Sequence, residues 1–209
     1  MLKLKTEFDN LYKVHFGDNE LISPVFYRFP IGIRYEMGTD LIYDETYIES
    51  VVSRAILIFR ELFDKDDTIY IVVNSYEDDP DDLADNDITT ARPLINRIEA
   101  ECKFIFSPFG GDKEMYNPHT RYILKATVKN IQVEKLFEEI AWSDIDRRNS
   151  LRGCVYWFNP RNGIIYYLYD DRGLDVISSE KTTLEHIYSK FNEWILEYGR
   201  EKIDNVFAL

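Results

Sequence analysis

The residues best suited to chemistry lie in one stretch, YYLYDDRGLDVIS, from Tyr166 to Ser178. It places Tyr167, Tyr169, Asp170, Asp171, Arg172 and Asp175 within a few positions of one another. Neighbouring carboxylates can hold a cation or divide acid and base roles, and a guanidinium can clamp an anion. Two hairpin registers give the stretch opposite meanings. A loop of Arg172-Gly173 alone sets Asp170 opposite Asp175 and Asp171 opposite Leu174, and like charges facing across strands are unfavourable without a bridging cation. A type I turn from Asp170 to Gly173 puts Asp first and Gly fourth, with Gly173 left-handed at a bulge and Asp170 bonding backbone amides. The second register uses each residue for a known reason, so the stretch is expected to be a well-made turn. The alternative keeps these six residues as a ligand- or partner-binding group.

The remaining candidates are fewer. Seven acids, Glu77, Asp78, Asp79, Asp81, Asp82, Asp85 and Asp87, crowd into EDDPDDLADND. A calcium loop of the EF-hand type needs alternating acids, a central Gly and a terminal Glu, and Pro80 interrupts this run. It reads as a solvated loop, and next as an acidic docking surface for a basic partner. His15, His119 and His186 are scattered along the chain, with His186 beside an apolar stripe as a structural partner. Cys102 and Cys154 lie far apart, outside any Cys/His metal spacing, and read as reduced, buried thiols. There is no GxSxG elbow, HExxH, phosphate-binding glycine loop or Rossmann fingerprint. No catalytic residue, metal site or cofactor is assigned. Arg147, Arg148 and Arg152 form the densest basic group, but Asp144 and Asp146 cancel much of its field.

Alternating strands and helices must position these side chains. Residues 3–15 read as a short helix with Leu4, Phe8, Leu11 and Tyr12 on one side. SPVFYRFPIGIRYEMG reads as a strand or strand pair broken at Pro30 and Gly32. Tyr47, Ile48, Val51, Ala55, Ile58, Phe59 and Leu62 form the stripe of a strong helix over 45–63, with Asp44 as its N-cap. TIYIVVNSY is a central strand, and CKFIFSPF and RYILKATV are two more, flanking the loop GGDKEMYNPHT. A second strong helix covers 131–141. CVYWFN and IIYYLYD flank NPRNG, which has hairpin-turn chemistry. One helix over 183–198 is expected to close the chain, with Thr182 and Glu185 as a capping box and Gly199 as the stop. This order gives a single α+β domain, a mainly antiparallel twisted sheet with packed helices over residues 1–209. The helices cover one sheet face and leave the other, rich in Tyr and Trp, partly exposed or available for self-association.

Composition bounds the partners. A chain of 209 residues can bury about 70% of its unfolded surface, so it needs neither a disulfide nor a metal to fold. The net charge of −13 repels nucleic acid and anionic membranes; it serves solubility first and is compatible with a basic protein partner. No apolar run reaches the length of a signal peptide or a membrane span, which fits a cytoplasmic protein. The oligomeric state is open.

VYWFNPRNGIIYYLYDDRGLDVIS, followed by FNEWILEYGREKIDNVF, resembles the signature of the bacterial family known as domain of unknown function 3885. The resemblance is strongest over about 150–209 and extends loosely upstream through FPIGIRYEMG and SRAILIFRELF. It implies a bacterial, cytoplasmic protein and assigns no catalytic residue, cofactor or substrate. Acidity, aromatic excess and the lack of catalytic motifs favour a non-enzymatic protein-binding module, of toxin-neutralising or immunity type. A small-ligand-binding protein or hydrolytic enzyme using the Asp-Asp-Arg-Gly hairpin is the alternative from another class, and a structural homo-oligomer joined through its sheet is a third.

Overall fold

A computed structural model describes residues 2–38, 45–75, 86–108, 119–145, 151 and 153–208. Asp44, Arg147, Arg148, Arg152 and most of the GGDKEMYNPHT loop lie outside these residues. Among the described residues, six α-helices and seven strands follow one another: α1 (Leu2–Phe16), β1 (Gly32–Glu36), α2 (Glu45–Leu62), β2 (Thr68–Ser75), α3 (Asn86–Ala91), β3 (Ala100–Phe106), β4 (His119–Thr127), α4 (Val133–Ala141), β5 (Cys154–Asn159), β6 (Ile164–Leu168), β7 (Gly173–Ser178), α5 (Lys181–Lys190) and α6 (Arg200–Phe207). The strands form one sheet in the order β1-β7-β6-β5-β2-β4-β3, and every neighbouring pair is antiparallel. The α+β class expected from the element order is the one observed.

Both faces of the sheet are covered, and that explains why β2 reads as a continuous apolar run instead of alternating. Ile69, Ile71 and Val73 of β2 pack with Trp157, Tyr166 and the apolar stripes of α2 and α4. Tyr70 and Val72 point the other way, into a second core with Tyr156, Phe158, Ile165 and Tyr167. That second face is not exposed. Leu4, Phe8, Tyr12 and Phe16 of α1 lie against it, and Tyr70, Tyr156 and Tyr167 are only 1%, 0% and 4% accessible. The short helix at the start of the chain is the missing layer. Burying each such side chain is worth about 1.5–3 kcal/mol, which outweighs leaving a tyrosine-rich face wet.

The closing segment departs from the single helix that its periodicity suggests. It divides into α5, two short 3-10 turns and α6. Between the turns, Ile195 bridges Tyr35, and the Leu196 amide donates to the Arg34 carbonyl at 2.9 Å. The chain breaks its own helix to satisfy the outer edge of β1, where unpaired backbone groups would otherwise remain. Gly199 does not stop a helix but directly precedes α6. The Thr182–Glu185 capping box is also absent: Glu180 is the N-cap of α5 with no side-chain cap, so Thr182 already lies inside the helix. The NPRNG turn is as expected. Asn159 Oδ1 accepts from the Arg161 amide at 3.0 Å, and Gly163 is left-handed at φ 61°.

Candidate functional site

The hairpin register decides what Asp170, Asp171, Arg172 and Asp175 can do. Leu168 pairs with Leu174 and Tyr167 with Asp175. The Tyr169 amide donates to the Gly173 carbonyl at 3.1 Å, leaving Asp170, Asp171 and Arg172 as the loop. Asp170 and Asp175 therefore do not face each other. Asp170 Oδ1 accepts from the Arg172 amide at 2.7 Å, the backbone bond expected of a turn aspartate. Gly173 departs from expectation. It is the first residue of β7, and Gly17 and Gly163 are the positive-φ glycines among the described residues. A side chain at Gly173 would run into the Tyr169 ring, so close packing and not turn geometry calls for glycine here.

Asp170 is met by its neighbour Arg172, and Asp171 and Asp175 by groups distant in sequence. Arg172 donates through Nε to Asp170 Oδ2 at 2.9 Å and through Nη2 to Asp144 Oδ2, just beyond α4, at 2.9 Å. The Tyr47 hydroxyl of α2 donates to Asp171 Oδ2 at 2.6 Å. Asp171 is 2% exposed, and burial pushes its carboxyl above the ordinary value despite the Tyr47 bond. Asp175 lies within β7, fully buried, and takes a two-pronged bond from its cross-strand neighbour Arg34: Nε to Oδ1 at 2.6 Å and Nη2 to Oδ2 at 2.8 Å. The Phe26 amide adds a third bond at 3.2 Å. Burial opposes the charge of Arg34, but the bonds it donates to Asp175 outweigh that and hold the guanidinium above its usual range. Phe26 and Tyr27 each place a ring centroid 4.9 Å from it, and Tyr169 one at 5.5 Å.

Oxygens of Asp144, Asp170 and Asp171 lie within 4.8 Å of one another, a spacing that could ligate a cation. Arg172 already bridges Asp144 and Asp170, so the chain supplies that cation itself. Tyr167 donates to the Cys154 sulfur at 3.1 Å and is buried in the α1-side core, and Tyr169 is held above its ordinary range by burial. The hairpin residues thus converge on internal partners and brace β1, α2 and α4 to one end of the sheet. Arg34, Tyr47 and Asp144 carry no local sequence signal for this role, because each partner lies in a different element.

The acidic run divides. Asp87 is 6% exposed and faces inward, accepting from the Ser75 hydroxyl at 2.6 Å and the Gly153 amide at 3.0 Å. It belongs to the scaffold and not to a docking surface. Glu77, Asp78, Asp79, Asp81, Asp82 and Asp85 lie outside the described residues. His15 joins α1 to the β5–β6 turn and to the end of β7, with Nε2 2.9 Å from the Pro160 carbonyl and Nδ1 3.1 Å from Ser179 Oγ. A carbonyl can only accept, so Nε2 carries the hydrogen. His119 begins β4 in a buried position, whereas His186 is exposed on α5 and not tucked beside the core. Both cysteines are free thiols; Cys102 is buried and Cys154 half-buried.

A second acidic region lies on the helical side of the molecule, where α2 and α4 enclose a groove of about 790 Å³. Glu45, Glu49 and Glu138 rim it and are exposed, and no ion pair among the described residues reaches them. Their signal is legible after the fact: Glu45 and Glu49, and likewise Glu134 and Glu138, stand four residues apart on a polar helix face. No helix among the described residues is long and apolar enough to cross a membrane.

Among curated proteins, the chain is similar to Uncharacterized protein YnaE of Bacillus subtilis (strain 168), 23% identical over 200 residues that cover 88% of this chain and 94% of that protein. No solved structure matches it. The family described as Domain of unknown function (DUF3885) matches residues 8–199, which take in the sheet, α1 from Phe8 onward and the hairpin brace, and the chain belongs to that family.

Proposed function

We propose that this protein is a non-enzymatic binding module that acts in the cytoplasm by covering a basic surface of another protein, as a neutralising or immunity protein does. The observation that carries this reading is the division of the acids. The hairpin carboxylates are spent on Arg34, Tyr47 and Arg172, while Glu45 and Glu49 of α2 and Glu138 of α4 remain exposed, with no ion pair among the described residues. With a net charge of −13, those free carboxylates steer basic partners and repel acidic ones. Side chains already engaged in buried internal bonds are poor candidates for turnover, because recruiting them would first cost the bonds that hold the hairpin.

The test is capture on the immobilised protein at low ionic strength, using bacterial extracts and a panel of purified basic and acidic proteins. Basic proteins should be retained and released as salt rises to a few hundred millimolar, where screening shortens to a few ångströms. Retention that ignores both salt and the charge of the partner would overturn the reading.

A further inference from the structure

The α2–α4 groove has the length, floor and charge of a seat for a helix. Its α2 wall runs from Glu45 to Arg60, which at 1.5 Å per residue is about 22 Å, or four turns. Ile48, Val52 and Ile56 follow one another at four-residue spacing along its floor, and half-buried Trp142, just past α4, also lines it. Leu57 stands 48% exposed on its lip, one of the few large apolar side chains so placed. A trough between two parallel ridges of side chains is the complement of a third helix, whose own four-residue ridges can drop into it.

The charges along the groove select which helix. Arg60 is neutralised by Glu134 across the groove, at 2.9 Å. That leaves Lys135 against Glu45, Glu49 and Glu138. The three glutamates line the same groove as Trp142, so a lysine or arginine there can find both a ring face for its stem and carboxylates for its charge. A second copy of this chain is a poor occupant, since it brings another −13.

We propose that the α2–α4 groove binds a basic amphipathic helix of a partner protein, with the apolar stripe of that helix on Val52, Ile56 and Leu57 and a lysine or arginine seated over Trp142 among Glu45, Glu49 and Glu138. This rests on the basic-partner reading above and gives it a place on the molecule.

The probe is a synthetic fifteen-residue peptide with leucines at helical spacing and lysines on the flanks, followed by fluorescence anisotropy. Three companions share its length: one with glutamate replacing lysine, one with the same composition scrambled out of helical register, and one with lysines and glycines only. The first peptide should bind at least tenfold more tightly than any companion. Glu49→Lys combined with Glu138→Lys should weaken it at least tenfold, and so should Leu57→Asp alone. Glu180→Lys with Glu193→Lys, away from the groove, should leave it within twofold. Circular dichroism verifies that each variant is folded, and two independent groove variants guard against the failure of either. Equal weakening by both pairs of reversals would mean diffuse attraction and would overturn the groove. Equal binding of the lysine–glycine peptide, unmoved by groove changes, would overturn it too while leaving the basic-partner reading intact. If no basic peptide binds at low salt, both fall.

Discussion

At the β6–β7 hairpin, Asp170, Asp171 and Asp175 are 5%, 2% and 0% exposed, and each accepts hydrogen bonds from another side chain. Along the α2–α4 groove, Glu45, Glu49 and Glu138 are exposed, and among the described residues no ion pair restrains them. The two regions carry the same functional group in opposite states. In the first, desolvation makes a carboxylate costly unless a donor meets it, so the charges are locked into the scaffold. In the second, water bears the solvation and the charge stays available to a partner. Density of acids in the sequence is therefore a poor guide to which carboxylates stay free. The more crowded cluster is the structural one.

The comparison breaks most readily at Asp175. Asp175→Ala leaves the Arg34 guanidinium enclosed by Phe26, Tyr27 and Tyr169 without its counter-charge, and the expected loss is about 3–5 kcal/mol in urea unfolding. A loss below 1 kcal/mol would show that the pair is dispensable and the hairpin free for other work. Arg172→Ala comes next. It removes the cation between Asp144 and Asp170 and should cost about 1–3 kcal/mol. Millimolar Ca²⁺ should then raise the melting temperature of the variant but not of the parent, since three carboxylates are left within 4.8 Å. A parent that responds to Ca²⁺ equally would mean that the ion does not compete with Arg172.

A smaller effect is expected from the protonation of Asp171. Burial raises its carboxyl above the ordinary value of 3.8, so the folded chain holds that proton more tightly than the unfolded one. Its contribution is full below 3.8 and declines as pH rises through the raised value. Asp171→Asn should flatten that decline; unfolding midpoints between pH 4 and 7 that keep the parent's slope would refute it. The smallest effect belongs to the groove. Glu45→Gln and Glu49→Gln should each change stability by no more than about 0.5 kcal/mol, because exposed unpaired charges contribute little. Losses of several kcal/mol by thermal denaturation would erase the distinction between the two regions.

The sequence by itself determined the elements and their class. A continuous β-branched and aromatic run placed β2, apolar stripes at helical spacing placed α1, α2 and α4, and the NPRNG turn, with its own chemistry in Asn159 and Gly163, placed β5 and β6 on either side. These are local properties, set by how a residue constrains its own backbone and nearest neighbours. Tertiary structure decided the rest. The α5–α6 break follows from the demand of the β1 edge for Leu196, which no helical periodicity announces. The covered tyrosine face follows from α1 folding onto a sheet whose strands come from the rest of the chain. The fate of each acid follows from which element arrives opposite it. Arg34 reaches Asp175 and Tyr47 reaches Asp171 from elements more than a hundred residues away in sequence, and only burial makes those meetings compulsory.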